Sequence, residues 1–335
     1  MRNFRRPNRK LSTPPRGVTL LELLIVLTIM LMVTAAAIPI MLPAVQNRRM
    51  REASRLVSSY ITGARARAIE TGRPVGVMFE RFNGLPFSMN LSYVEVPQPY
   101  AGDTVNSRIL VTAGGQVTSF VSGDTQWNGL LHVGDLLKLD FKGPLYFLVS
   151  GSSALPQGSV LTAPPWQLLT PTGPPTLPAN YSGANGVAFQ IFRQPVRSSA
   201  APMQLPEGAV IDLASSGLGS GTFNTGTPTS PIVAYNPVVT FSPNGSVDYV
   251  GVPQLQRPNN PIFFLLGRRD LMPDASKTGT NENLYDPTTL QHLQNFWISI
   301  GYQTGHVSVT EQAVNAGSVS AARAFAQTVQ STGGR

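Results

Sequence analysis

A chain of 335 residues, 42% of them hydrophobic, can fill one large or two modest cores, and that excludes a globally disordered protein. The formal charge of +8 invites a nucleic-acid reading, but six of the 25 basic side chains precede residue 17. The other 19 stand against 17 acidic ones, so the rest of the chain is nearly neutral. No cysteine is present, which excludes disulfides and thiolate metal sites.

The leader carries Arg2, Arg5, Arg6, Arg9, Lys10 and Arg16 and no acidic residue, a bias that holds this end in the cytoplasm and sends the body outward. Residues 18–38 are apolar apart from a few threonines and one charge, Glu22. As a helix they span about 31 Å, enough to cross a hydrocarbon core. A carboxylate there costs about 2.5–3.5 kcal/mol on insertion scales and calls for a partner. Small residues at Ala35, Ala36 and Ala37 also fit a secretory signal, but such signals have apolar regions of only about 7–15 residues. A plain signal anchor and a buried core helix are the other readings.

Gly17 followed by Val18-Thr19-Leu20-Leu21-Glu22 and an apolar helix resembles the signal of type IV pilins and type II secretion pseudopilins. The resemblance implies that a membrane prepilin peptidase cuts between Gly17 and Val18 and that Val18 is N-methylated. The family most often has Phe at that position. The resemblance also implies that Glu22 pairs with the amino terminus of a neighbouring subunit during assembly, which offsets the burial of both charges.

Pro39 and Pro43 predict a kink or local unwinding after the membrane segment. From residue 44 to 72, Val45, Ala53, Leu56, Val57, Tyr60, Ile61, Ala64 and Ala68 form one apolar stripe, so an amphipathic second half of the helix is expected. Arg48, Arg49, Arg51, Arg55, Arg65 and Arg67 lie off the stripe as a solvated face, with Glu52 in reach of Arg48 or Arg55. Gly72 and Pro74 stop the helix.

Alternating Val75, Val77 and Phe79, a turn at Asn83-Gly84, and alternating Phe87, Met89, Leu91 and Tyr93 predict a hairpin directly after the helix. The passage from Ala64 to Val75 resembles the helix-to-strand junction of the GspH/FimT group of minor pilins. Residues 97–186 read as an insertion with long Pro/Gly-rich loops. Residues 187–192, 209–213, 238–241, 247–250, 262–266 and 296–300 read as strands. Leu205-Pro206-Glu207-Gly208, Phe241-Ser242-Pro243-Asn244-Gly245 and the segment 296–309 resemble the later loop and hairpins of that group. The tail, 311–335, holds a short helix at most.

The expected fold is therefore α+β and pilin-like: a leader (1–17), a transmembrane helix (18–43), its amphipathic continuation (44–72) and an antiparallel β-rich exported domain (73–310). Isolated His132, His292 and His306, the acidic pairs Asp135/Asp140 and Asp270/Asp274, and scattered Trp127, Trp166 and Trp297 form no metal, catalytic or stacking pattern, so no catalytic residue, cofactor or metal is expected.

The resemblance implies a minor pseudopilin in the inner membrane, with its C-terminal domain in the periplasm. Its partners would be the prepilin peptidase, other pseudopilin or pilin subunits, and an assembly platform. An alternative is a FimT-like minor type IV pilin that captures DNA, with Arg65, Arg67, Arg73 and Arg81 as weak phosphate contacts. A third reading is a membrane-anchored enzyme or adhesin working through residues 97–186.

Overall fold

A computed structural model describes residues 17, 19–82, 85–121, 124–151, 159–161, 164–170, 172–178, 181, 183, 185–223, 236–251, 255–269, 294–314 and 318–331, with the side chains of 36–44, 255, 330 and 331 left aside. The leader 1–16, Val18, the Asn83-Gly84 turn, Asp270, Asp274 and His292 lie outside the described residues. The chain divides into two compact units, residues 1–48 and 49–335. Helix α1 (Leu20–Thr71) begins in the first and ends in the second, and it stays helical through Pro39 and Pro43, so of the expected kink or local unwinding the unwinding is not found.

In the first unit Thr19 caps α1. Its hydroxyl accepts the Glu22 N–H at 3.2 Å and its carbonyl accepts the Leu23 N–H at 3.1 Å, which satisfies backbone donors that a helix start leaves free. Leu20, Leu21, Leu23, Leu24, Ile25, Val26 and Leu27 are all exposed, so the apolar surface runs around the helix instead of forming one stripe. Two threonines in this segment are satisfied internally: Thr28 donates to Leu24 O and Thr34 to Met30 O, each at 2.7 Å. Among the described residues no helix is long and apolar enough to cross a membrane.

In the second unit, strands follow α1 in the order β1 (Val75–Arg81), β2 (Phe87–Glu95), β3 (Ile109–Val111), β4 (Gln116–Phe120), β5 (Leu136–Leu139), β6 (Leu145–Ser150), β7 (Trp166–Leu169), β8 (Phe189–Phe192), β9 (Val196–Arg197), β10 (Met203–Gln204), β11 (Ala209–Leu218), β12 (Val238–Phe241), β13 (Val247–Gly251), β14 (Leu255–Gln256), β15 (Ile262–Arg268), β16 (Phe296–Ile300) and β17 (Val307–Glu311). Helix α2 (Val319–Ser331) follows them. The N-terminal helix and large antiparallel sheet give the expected α+β, pilin-like arrangement.

The large sheet has the order β14-β13-β12-β1-β2-β11-β15-β16-β17, with β9 and β10 pairing beside β2. Met50, Ala53, Val57, Ile61, Ala64 and Ala68 bury the inner face of α1 against Val77, Phe79, Leu91, Ile211, Phe264 and Ile298. Each fully buried aliphatic or aromatic side chain contributes about 1.5–3 kcal/mol, and the three alanines let the helix backbone lie close to the sheet. Gly72, with φ at 62°, ends the helix in the left-handed conformation that glycine adopts without strain.

The large sheet curls around the C-terminal half of α1. The β12–β13 turn and the β16–β17 turn come from distant strands, yet they meet where the Val247 N–H donates to Tyr302 O at 2.9 Å. Arg65 sits under this junction, its Nε donating to Gly245 O at 3.0 Å.

The inserted segment forms a second, six-stranded antiparallel sheet of order β3-β4-β7-β6-β5-β8. Ile109 of β3 and Val187, just before β8, exchange both backbone hydrogen bonds at 2.9 and 2.8 Å, so the sheet closes on itself as a small barrel. Side chains fill it: Trp166, Phe189, Leu131, Leu148 and Ile191 are buried, and Trp166 meets Trp127 edge-on at 5.3 Å between ring centroids. Residues 187–192, which read in sequence as part of the later strands, pair into this barrel through β5.

On the other face of the large sheet, α2 packs Ala322 and Ala326 against Phe263, Leu265 and Trp297. Sequence pattern indicated only a short terminal helix, but Arg323 fastens it. This buried guanidinium donates to Ser215 O, Gly219 O and Gly221 O at 2.7, 2.7 and 2.8 Å. Buried Asp212 lies near enough to stabilise the charge, although burial lowers the Arg323 pKa to about 10.

Candidate functional site

The N-terminal segment holds Gly17, where the resemblance places cleavage, and Glu22, which it assigns to assembly. Gly17 is exposed, and a Cβ built on it would meet none of the described residues within 4 Å. Thr19, Leu20, Leu21 and Glu22 form the first turn, with Thr19 at the cap and Glu22 three residues inside. A carboxylate at that position faces the positive end of the helix dipole. The cap uses the backbone of Glu22, which leaves its carboxylate available for another positive group. The spacing Thr-x-x-Glu was visible in the sequence as a capping signal, and sequence reasoning had assigned Glu22 to assembly alone.

The arginines considered as phosphate contacts stand in different settings. Arg65 is half-buried and bonded to Gly245 O, so it does not belong to the solvated face expected of it. Arg67 lies over the Tyr93 ring at 4.1 Å from its centroid. Arg73 is exposed between α1 and β1. Arg81, at the opposite end of β1, donates from Nη2 to Phe223 O at 3.1 Å. The ion pairs of the helix run to other elements and not along the helix to Glu52: Arg49 meets Glu207 and Arg51 meets Glu311, each at 3.7 Å.

Asp135, Asp140 and Trp297, considered for chemistry from the sequence, and Asp103 occupy the following positions in the fold. Asp135 is fully buried at the mouth of the barrel, where one carboxylate oxygen accepts the His132 N–H at 2.7 Å and the other the Gln194 N–H at 2.8 Å. Burial raises its pKa to about 6 against these bonds. Asp140 lies in the β5–β6 turn. Asp103 caps the turn after Asp124 by accepting the Thr125 and Gln126 N–H groups, and those bonds with the one from Tyr100 lower its pKa in spite of desolvation. Trp297 is buried in the sheet and bonded to Gln312. Among the described residues no group of three or more His, Asp or Glu side chains is placed to hold a metal ion.

A cap, an apolar helix entered by a single carboxylate, and a β-rich domain packed on the helix's second half form a pilin-like α+β arrangement headed by a prepilin signal. In agreement, the model of the prokaryotic N-terminal methylation motif matches residues 15–38. That motif implies anchoring of the N-terminus in a membrane, processing by prepilin peptidase, and assembly with other pilin subunits. No curated protein and no solved structure matches the chain.

Proposed function

We propose that the chain is a minor pseudopilin of a type II secretion machine, a structural subunit without catalytic activity. The methylation motif over residues 15–38 supports the prepilin part of this reading, which pseudopilins share with type IV pilins. In it, cleavage between Gly17 and Val18 removes the basic leader, Val18 is methylated, and residues 18–43 stay in the inner membrane with the exported domain in the periplasm. Glu22 then pairs with a neighbour's new amino terminus as the subunit enters the pseudopilus.

The FimT-like alternative draws on Arg65, Arg67, Arg73 and Arg81 as phosphate contacts. The engagement of Arg65 by Gly245 O and of Arg81 by Phe223 O supports the secretion reading over DNA capture. Purification of the detergent-solubilised chain from its own cells tests the proposal. Expected are a mass lacking residues 1–17 and carrying one added methyl, co-purifying pilin-like subunits, and a secretion defect on deletion. An unprocessed mass, or a deletion that abolishes DNA uptake and spares secretion, overturns it.

A further inference from the structure

Among the described residues the last strand of the large sheet leaves one edge unpaired beside a groove. The Gln312 N–H donates to Asn295 O and the Gly301 N–H to His306 O, and β16 and β17 keep one register between these points. In an antiparallel ladder, bonded pairs alternate, so the pairs 295/312, 297/310, 299/308 and 301/306 exchange bonds. Val307, Val309 and Glu311 therefore point their N–H and C=O groups away from β16, and among the described residues no strand pairs with that side. Natural edges are usually blunted by lysine, proline, a bulge or a cover. The β17 sequence, Val-Ser-Val-Thr-Glu, has none of the first three.

The groove beside this edge measures about 550 Å³ and is lined by Arg51, Arg55, Ser58 and Ser59 of α1 with Val309 and Glu311 of β17. Arg51 and Glu311 are 3.7 Å apart with both side chains about two-thirds exposed, a pair too solvated to hold Arg51 strongly. Arg55 is exposed and has no ion pair among the described residues. The two arginines are four residues apart on the helix, a rise of about 6 Å. Side chains two residues apart on one face of a strand are separated by about 6.5–7 Å.

We propose that this groove receives an extended acidic segment of a partner protein. The segment adds to β17 as a further strand, bonded to the backbone of Val309 and Glu311, and places two carboxylates at alternate positions against Arg51 and Arg55. Backbone bonds supply affinity, and the charge pair selects an acidic strand. The inference stands apart from the roles of Gly17 and Glu22.

The test uses the full chain in detergent micelles and a fluorescent peptide, Thr-Val-Glu-Val-Glu-Val-Thr, with its lysine counterpart as control. The glutamate peptide is expected to bind, to slow amide exchange at Val309 and Glu311, and to bind about tenfold more weakly to Arg55→Glu. Val309→Pro removes an outward N–H without breaking the pairing to β16, so it is expected to abolish binding while the circular dichroism stays native. Should that variant not fold, Arg55→Glu decides. Equal binding of both peptides, no slowing at Val309 and Glu311, or full binding by Arg55→Glu overturns the proposal. Displacement of the peptide by an oligo-dT strand, or protection of these amides by self-association in its absence, does so as well.

Discussion

The Nε of Arg65 donates a 3.0 Å hydrogen bond to the carbonyl of Gly245, a residue 180 positions further along the chain. Gly305 lies against the same pair: a Cβ built on it would come within 2.1 Å of Gly245 O and 3.0 Å of the Arg65 side chain. One arginine on α1 thus joins the two turns at which the curled sheet meets itself. A guanidinium in that position ties the helix to the fold.

Gly305→Ala is expected to destabilise the β-rich domain by about 1–3 kcal/mol, because the residue has φ at 62° and a backbone oxygen blocks the added carbon. Thermal unfolding of the full chain in detergent measures it. An unchanged midpoint would mean that the two turns are not in contact.

Loss of Arg323 should release α2. Arg323→Leu leaves three carbonyls without their donor and buried Asp212 without its nearby positive charge, an arrangement that costs about 3–5 kcal/mol. Faster amide exchange across Val319–Ser331, with exchange in α1 unchanged, is the expected signature. Uniform acceleration throughout would instead report global unfolding.

Asp135 links stability to pH. Its pKa in the fold is about 6 against an ordinary 3.8, so the folded chain binds a proton more readily than the unfolded one between these values. This group's contribution therefore becomes more stabilising as pH falls from about 7 to about 4, opposite to the usual acid effect. Denaturant titrations of wild type and Asp135→Asn over that range should differ in slope; parallel curves would remove the linkage. The comparison also separates Asp135 from neighbouring His132, which the variant retains.

Gly17→Leu is expected to retain the leader. Among the described residues nothing lies within 4 Å of a Cβ at this position, so failure to process would reflect the peptidase and not the fold. Mass spectrometry reads the result, and a mature mass from this variant would refute the assignment of the cleavage site.

Glu22→Ala is expected to leave insertion and cleavage intact, since the Thr19 cap bonds the Glu22 backbone and the segment becomes more apolar. Assembly should fail, because a neighbour's buried amino group without its counter-charge costs about 3–5 kcal/mol. Wild-type crosslinking to neighbours together with wild-type secretion would show that the carboxylate serves something other than assembly.

The sequence determined those features whose physics is local. Apolar periodicity marked the stripe from Ala53 to Ala68, Gly72 marked the end of α1, and alternation marked β1 and β2. The prepilin signal was legible because its Gly, cap and carboxylate lie within six residues. Tertiary structure alone decided which strands are neighbours, because pairing depends on closing loops of more than a hundred residues and leaves no local periodic mark. Thus residues 187–192, a plausible continuation of the later strands, instead close the inserted barrel through Ile109 and Val187. Arg65, a surface arginine by its spacing, became a tether because a turn 180 residues away offered it a carbonyl, and Arg323 acquired three such partners in the β11 region. A charge pattern records where a side chain leaves its own helix, and only the folded chain determines what comes to meet it.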